Sequence, residues 1–366
     1  MTLFIDAHQD LAWNIVNLNR DYSQSAIEIR KSEKNTPIPA FNGNTLLGWP
    51  QYCQAKTAVI FGTLFSTPRR LDKGTYPNRV YDTADEAHAR YRENLDAYNQ
   101  LTDQHPEKFR LLFNLSDLED HLEQWQLLLE NQEHEPNPPV GILILMEGAE
   151  GIRSMAEVEQ WFEWGVRIIG PAWAGNRFCG GTREPGPLTK EGYGLLERMA
   201  ELGLILDISH MDHLSARQAL DFYDGQVVAT HANAEQRLKR VINNRHLTDD
   251  LISQLIERDG VIGVIPFNNF LDTDWRDHGG RSAVTLDHLI EHIDHICQIA
   301  GNTNHAAIGT DFDGGFGVEM VPGEIDTIAD LPVLIPRLTK KGYNQEDIER
   351  IFNGNWLRIL RNNLPA

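Results

Sequence analysis

The sequence predicts an α/β fold, a single (β/α)8 barrel of the TIM type that occupies residues 1–366. Short apolar, β-branched segments alternate with amphipathic ones from end to end. Several of the short segments are unbroken apolar runs, such as Gly141-Ile-Leu-Ile-Leu-Met146 and Gly203-Leu-Ile-Leu-Asp-Ile208. Such runs suit parallel strands that are covered on both faces. Polar residues also gather at the C-terminal ends of these runs, the mouth at which barrels of this kind carry their chemistry.

Strands are expected at residues 3–5, 57–64, 110–113, 140–146, 166–170, 204–208, 226–230, 261–267 and 306–310. Nine candidates compete for eight places, and 110–113 is assigned as an accessory strand. Helical periodicity fills the gaps. Residues 85–102 carry Tyr91, Leu95 and Tyr98 at spacings of four and three. Residues 188–202 carry Leu195, Leu196, Met199 and Leu202, with Thr189 and Glu191 suited to a first turn. Helices are also expected over 248–257, 286–300 and 344–353, with a short one near 356–361. Two insertions, 17–50 (with Pro37, Pro39, Gly43 and Gly48) and 131–139, read as loops; the first is long enough to form a lid or a rim.

Lys and Arg number 33 against 53 Asp and Glu, a net charge of −20. That disfavours nucleic acid, which needs a basic face, and anionic membrane surfaces. Cys53, Cys179 and Cys297 are odd in number and far apart, with no C-x-x-C, so neither a disulfide framework nor a zinc knuckle is expected. Free thiols of a reducing compartment fit this usage. No basic segment followed by an apolar one opens the chain, and no run of 18 apolar residues spans a bilayer. A cytoplasmic location is therefore expected.

The ends of the strands carry the chemistry. The first ends at His8 and Asp10, which point the same way if the backbone stays extended. The others end at Glu147, His210, His231 and Asp311. Each residue has a plainer reading: a histidine at a strand end serves a turn, and Asp10 caps a helix that starts at Leu11. A carboxylate such as Glu147 at the end of a buried strand, however, needs a cation or several donors. Three histidines and three carboxylates at one barrel mouth read together as a two-metal hydrolytic site. Asp313 shares a face with Asp311 by strand alternation and is assigned to the loop. Asp207, inside an apolar strand, is expected to orient a histidine or to pair with a helix.

The motifs Asp6-Ala-His8-Gln-Asp10-Leu, Met146-Glu147-Gly148, Leu206-Asp-Ile-Ser-His210-Met, Thr230-His231-Ala, Asn244-Arg245-His-Leu-Thr-Asp249-Asp250 and Ile308-Gly-Thr-Asp311-Phe-Asp313-Gly recur in this order. With them nearly the whole chain resembles the membrane (renal) dipeptidase family of zinc peptidases, within the amidohydrolase superfamily. The resemblance implies a distorted barrel and two zinc ions. His8 and Asp10 would bind one, His210 and His231 the other, and Glu147 would bridge them. It implies that Asp311 handles protons, that Arg245 holds the terminal carboxylate of a small peptide substrate, and that the protein is a homodimer. Arginine suits that task because its planar fork binds a carboxylate through two bonds.

One departure stands out. Where the family places a histidine against the scissile carbonyl, this chain has Trp173, with Asn176 or Arg177 as substitutes for the lost contact. Indole donates one hydrogen bond and cannot become cationic. A Trp there narrows the pocket and favours an apolar or planar group. The glycine-rich segment 179–187 reads as an adaptable wall or as a long loop. Three functions follow: a zinc dipeptidase that cleaves with a hydroxide bridging the metals; a binuclear barrel hydrolase for lactones, phosphotriesters or N-acyl amino acids; and a barrel that keeps its metal for structure or binding. Asp311 argues against the last, because structural sites are closed and need no spare acid.

Overall fold

The computed structural model describes residues 2–72, 74, 79–131 and 137–366. Its strands in chain order are β1 (Phe4–Gln9), β2 (Thr57–Leu64), β3 (Phe109–Leu111), β4 (Val140–Glu147), β5 (Val166–Gly170), β6 (Cys179–Gly181), β7 (Glu184–Leu188), β8 (Ile205–Asp207), β9 (Val227–Val228), β10 (Ile262–Val264) and β11 (Ala306–Ile308). A parallel sheet runs β1-β2-β4-β5-β8-β9, and β10 pairs with β11. Isolated parallel bridges Ala229–Ile262 and Gln9–Phe312 link the two sheets at both edges. The eight barrel positions are thus filled, and β3, paired only with β4, is the accessory strand.

The strands on the second half of the barrel are shorter than the sequence suggests. β9 keeps two residues of the expected 226–230, and β10 three of 261–267. Their apolar runs continue, but the backbone leaves the ladder to deliver side chains to the mouth. The long helices match the periodicity closely: Ala84–Gln104, Lys190–Glu201, Asp249–Glu257 and Leu286–Ala300. Thr189 and Thr248 cap two of them, each accepting from a backbone N–H in the first turn. The expected 344–353 helix is Gln345–Glu349, widens into a π turn over Arg350–Gly354 and continues as Asn355–Asn363. No helix among the described residues is long and apolar enough to cross a membrane.

Strand alternation sorts the apolar residues into two layers. Val59, Phe61, Leu143 and Leu145 join Ile5, Ala7 and Trp356 in one cluster; Ile60, Ile142, Ile144 and Met146 join the flanking helices in the other.

The segment 17–50 corrects the loop expectation. After α1 (Leu11–Leu18) it folds α2 (Ala26–Glu33) and α3 (Ile38–Asn42), and it enters α4 (Trp49–Ala55). Ser25 and Glu28 close a capping box on α2, and the prolines that read as loop signals sit at the starts of α3 and α4. Of the second insertion, residues 132–136 lie outside the described residues.

A buried cluster ties the first segment to the barrel. The Asp313 carboxylate accepts from Tyr22 Oη (2.8 Å), Leu46 N (2.8 Å) and the Thr45 hydroxyl, and faces Arg20 Nη1 at 3.2 Å. Arg20 in turn donates to Glu33 Oε1 at 2.8 Å and to the Gly43 carbonyl at 2.8 Å. Replacing Arg20 by Met leaves two buried carboxylates without their cation. It is expected to lower unfolding free energy by about 3–5 kcal/mol in urea denaturation. A loss below about 1 kcal/mol would show that the cluster does not hold the segment down.

Candidate metal centre

The site begins with a fault in β1. Residues Asp6 and Gln9, three apart, pair with Ile60 and Gly62, two apart. One residue bulges, and the alternation changes phase. Ile5 and Ala7 pack with the barrel interior, yet His8 and Asp10 also reach the mouth. Asp10 does precede α1, but its carboxylate makes no capping bond; it accepts from the Thr63 hydroxyl of β2.

Glu147, at the end of β4, is the meeting point. Its Oε1 lies 3.0 Å from His210 Nε2, 3.3 Å from His231 Nε2 and 3.8 Å from His8 Nε2. His8 Nε2 is also 3.9 Å from Asp10 Oδ2 and 3.8 Å from Asp311 Oδ1. All six side chains predicted to act together are therefore brought together. They form three overlapping groups able to hold a cation: His8, Asp10 and Glu147; Glu147, His210 and His231; His8, His231 and Asp311.

The chain reverses sharply around Asp311. Asp311 and Asp313 both adopt left-handed backbone, with φ of 56° and 63°, a region that Asp tolerates better than most residues. Both residues border the cavity, but their carboxylates part: that of Asp311 lies 3.8 Å from His8 Nε2, while that of Asp313 is taken up by Arg20, Tyr22 and Leu46 N. Gly314 follows because nothing larger fits. A Cβ there would sit 2.1 Å from Asp311 Oδ1 and 2.8 Å from Asp10 Oδ2.

Electrostatics mark the cluster as incomplete by itself. Burial, then the charges of Asp10 and Asp311, push the Glu147 carboxyl well above the usual range. Burial and the Asp10 charge do the same to Asp311. Asp10 is pushed up to about 6, chiefly by burial. Burial, with help from the Arg245 charge, holds His8, His210 and His231 well below their ordinary value, so they are neutral, as ligands must be. Neither ring nitrogen of buried His8 has a hydrogen-bond partner, an expensive arrangement for a buried polar ring. Divalent cations would relieve both faults, and a set of imidazoles and carboxylates without thiolate fits zinc or a similar ion.

Two buried aspartates brace this set. Asp6 Oδ2 accepts from Thr310 Oγ1 (2.5 Å) and Gln9 Nε2 (2.6 Å), and Oδ1 accepts from Thr310 N (2.7 Å). Asp207 likewise takes the backbone and hydroxyl donors of Thr230 and Ser209. The expectation that Asp207 orients a histidine thus holds through Thr230, whose Oγ1 is 3.0 Å from His231 Nδ1. No helix pairs with it among the described residues. Asp6 and both threonines were not singled out from the sequence. The signal was there in a carboxylate within an apolar strand and a Thr directly before a ligand, as in Thr230-His231 and Thr310-Asp311.

The remaining predicted residues divide. Buried Arg245 borders the cavity; its Nη1 donates to the Ser209 carbonyl (2.6 Å) and Nη2 to the His231 carbonyl (2.7 Å), while Nε has no partner. Trp173 also borders the cavity, between Phe65 at 5.2 Å and His210 at 6.1 Å between ring centres. Asn176 does not. Its Nδ2 donates to the Pro171 carbonyl and its Oδ1 accepts from Phe178 N and Cys179 N, so it is spent on shaping the loop. The glycine-rich segment beyond is a wall of the site, as one of its two readings expected: it forms the antiparallel hairpin β6–β7, whose turn residues Thr182 and Arg183 border the cavity. The cavity measures about 520 Å³. Trp13, Phe41, Phe65 and Trp173 contribute one aromatic lining, and Phe267 with Phe316 another.

Comparison with known proteins places this geometry. A metallo peptidase from Rhodobacter sphaeroides, solved with a phosphinate mimic of the dipeptide L-Ala-D-Ala, superposes with a TM-score of 0.77 at 20% identity, over 99% of this chain and 100% of that one. An uncharacterized protein of Klebsiella pneumoniae is 34% identical over 227 residues, 59% of this chain and 80% of its own length. An uncharacterized dipeptidase of Schizosaccharomyces pombe is 30% identical over 226 residues, 59% of this chain but only 52% of its own length. The family model for membrane dipeptidase (Peptidase family M19) matches residues 1–364. The chain belongs to that family and is a metal-dependent dipeptidase.

Proposed function

We propose that the chain cleaves dipeptides with two zinc ions, one held by His8 and Asp10, the other by His210 and His231, with Glu147 shared between them. The observation that carries this reading is the convergence of three imidazoles on one oxygen of Glu147. Cations bound there supply Lewis-acid polarisation of the scissile carbonyl and lower the pKa of water from about 15.7 toward about 7.

The side chains do the rest. Asp311 borders the cavity with its carboxyl raised well above the usual range, which suits a group that takes the proton of the attacking water and returns it to the leaving nitrogen. Arg245 borders the cavity, but its two Nη atoms donate to the Ser209 and His231 carbonyls and its unpartnered Nε is buried. The two-bond fork expected from the sequence is therefore not free, and Arg245 acts on the free carboxylate of the substrate through its positive charge, favouring peptides that end one residue past the scissile bond. Trp173 supplies an indole N–H and an apolar face in place of an ionisable ring. With Trp13, Phe41 and Phe65 it forms a pocket suited to a bulky apolar side chain on the amino-terminal residue.

Asp311→Asn is expected to keep two equivalents of zinc and a near-normal KM while kcat falls by about 10²–10⁴-fold. An unchanged kcat would remove Asp311 from proton transfer. Dipeptides led by Phe or Leu are expected to exceed their Gly-led counterparts in kcat/KM by about 10-fold or more, and Trp173→Ala to shrink that ratio. A ratio unaffected by the substitution would place the side chain elsewhere.

The metal reading also has a pH signature. The metal-free Asp10 carboxyl, at about 6 against an ordinary 3.8, favours the folded state when protonated. That contribution is full below about 4 and lost as pH rises through about 6. The lowered histidines act oppositely: their contribution is present above 6.5 and lost as pH falls. Zinc binds only the deprotonated forms of both. The melting temperature should therefore rise more on adding zinc at pH 7 than at pH 5. Equal shifts at both would mean that zinc binds away from these residues.

A further inference from the structure

We infer that Asp207, acting through Thr230, decides which ring nitrogen of His231 carries its proton, and so presents Nε2 of that ring as an open lone pair. The inference rests on the cation site proposed above.

An ionised carboxylate only accepts hydrogen bonds. Asp207 takes four: Oδ1 accepts from Ser209 N (3.0 Å), Ser209 Oγ (2.5 Å) and Thr230 N (3.0 Å), and Oδ2 accepts from Thr230 Oγ1 (2.5 Å). The single protons of both hydroxyls are thereby directed inward, and their lone pairs point outward. Both lone pairs meet His231. Ser209 Oγ accepts from His231 N at 3.1 Å, and Thr230 Oγ1 lies 3.0 Å from His231 Nδ1. With its own proton committed to Asp207, Thr230 can only accept there. Nδ1 then carries the hydrogen, and Nε2, 2.9 Å from His210 Nε2 and 3.3 Å from Glu147 Oε1, keeps its lone pair.

The three site histidines are not alike in this respect. His8 has no partner on Nδ1. His210 meets Thr182 Oγ1 at 3.0 Å, but that hydroxyl has only the His210 carbonyl, at 3.3 Å, as an outlet for its proton. Only His231 is backed by a buried carboxylate through a polarised hydroxyl. The same construction recurs where no imidazole is involved. Asp6 takes the N–H and O–H of Thr310, and Thr310 Oγ1 accepts from Phe312 N at 3.1 Å, fixing the turn that carries Asp311. The Asp–Thr pair is thus a device for joining two strand ends, and beside His231 it acquires a second use.

Two substitutions separate the proton relay from mere packing. Thr230→Val keeps the shape and removes the acceptor. Asp207→Asn keeps the shape and reverses the relay, because a carboxamide N–H aimed at Thr230 frees the threonine proton to point at Nδ1. The full-length protein, stripped of metal, is titrated with zinc against a competing chelator. The wild type should show two binding steps. Each variant should weaken one of them by about 10–100-fold and leave the other within about twofold, while Thr230→Ser restores the weakened step. Wild-type affinities in Thr230→Val, or a Thr230→Ser as weak as Thr230→Val, would overturn the inference. A wild type that binds fewer than two zinc ions would instead overturn the cation reading itself. If neither variant folds, long-range ¹H–¹⁵N spectra of the histidine-labelled, metal-free wild type above pH 7 decide. His231 should carry its proton on Nδ1; a proton on Nε2, or an even mixture, would sink the proposal.

Discussion

Six carboxylates, five of them buried and Asp311 partly exposed, surround the barrel mouth, and the difference in how they are satisfied organises everything near them. Asp6, Asp207 and Asp313 are saturated by donors from neighbouring strand ends and from the 17–50 segment. Asp10, Glu147 and Asp311 are left short: Asp10 receives the Thr63 hydroxyl, and the other two face imidazoles and each other. A buried anion without donors is costly. The first three are therefore scaffold, and the second three concentrate negative charge that a bound cation would balance.

The scaffold carboxylates explain how a ligand set drawn from five strand ends stays in register. Their bonds go to backbone and to neighbouring residues rather than to the ligating atoms: Asp6 to Thr310 and to His8 N, Asp207 to Thr230 before His231, and Asp313, in the turn after Asp311, to Leu46 N and Tyr22. Arg245 adds a positive stitch, holding the carbonyls of Ser209 and His231 with two of its nitrogens. Its charge helps keep the three imidazoles neutral. Positioning by neighbours leaves the lone pairs of the ligands free, which a cation site requires.

The aromatic linings and the helical 17–50 segment set what can reach the centre. α3 contributes Phe41 and Asn42 to the cavity border, and the Arg20–Asp313 pair fixes that segment to the same turn that presents Asp311. The rim and the centre are therefore mechanically one unit. Among the described residues, Arg183 and Arg245 are the arginines that border the cavity, in a chain whose net charge is −20.

By itself the sequence determined the barrel, its accessory strand, the long helices and the six side chains of the centre. These follow from local rules: apolar runs, 3.6-residue periodicity and polar residues at strand ends. It did not determine the helices of 17–50, where prolines that start helices look like prolines that end them. It put Asp313 in the loop, where the structure has a turn, but did not supply the partners that bury it, and it did not release Asn176 from the cavity. Simple alternation failed at Asp311 and Asp313 because left-handed backbone breaks the two-residue period, and it gave His8 and Asp10 a common direction but not the bulge that changes their phase relative to Ile5 and Ala7. Only the tertiary structure could decide which carboxylates would be satisfied. A hydrogen bond from Thr230 to Asp207 or from Leu46 to Asp313 joins residues 23 and 267 positions apart, and no local pattern encodes the distance that folding brings to zero.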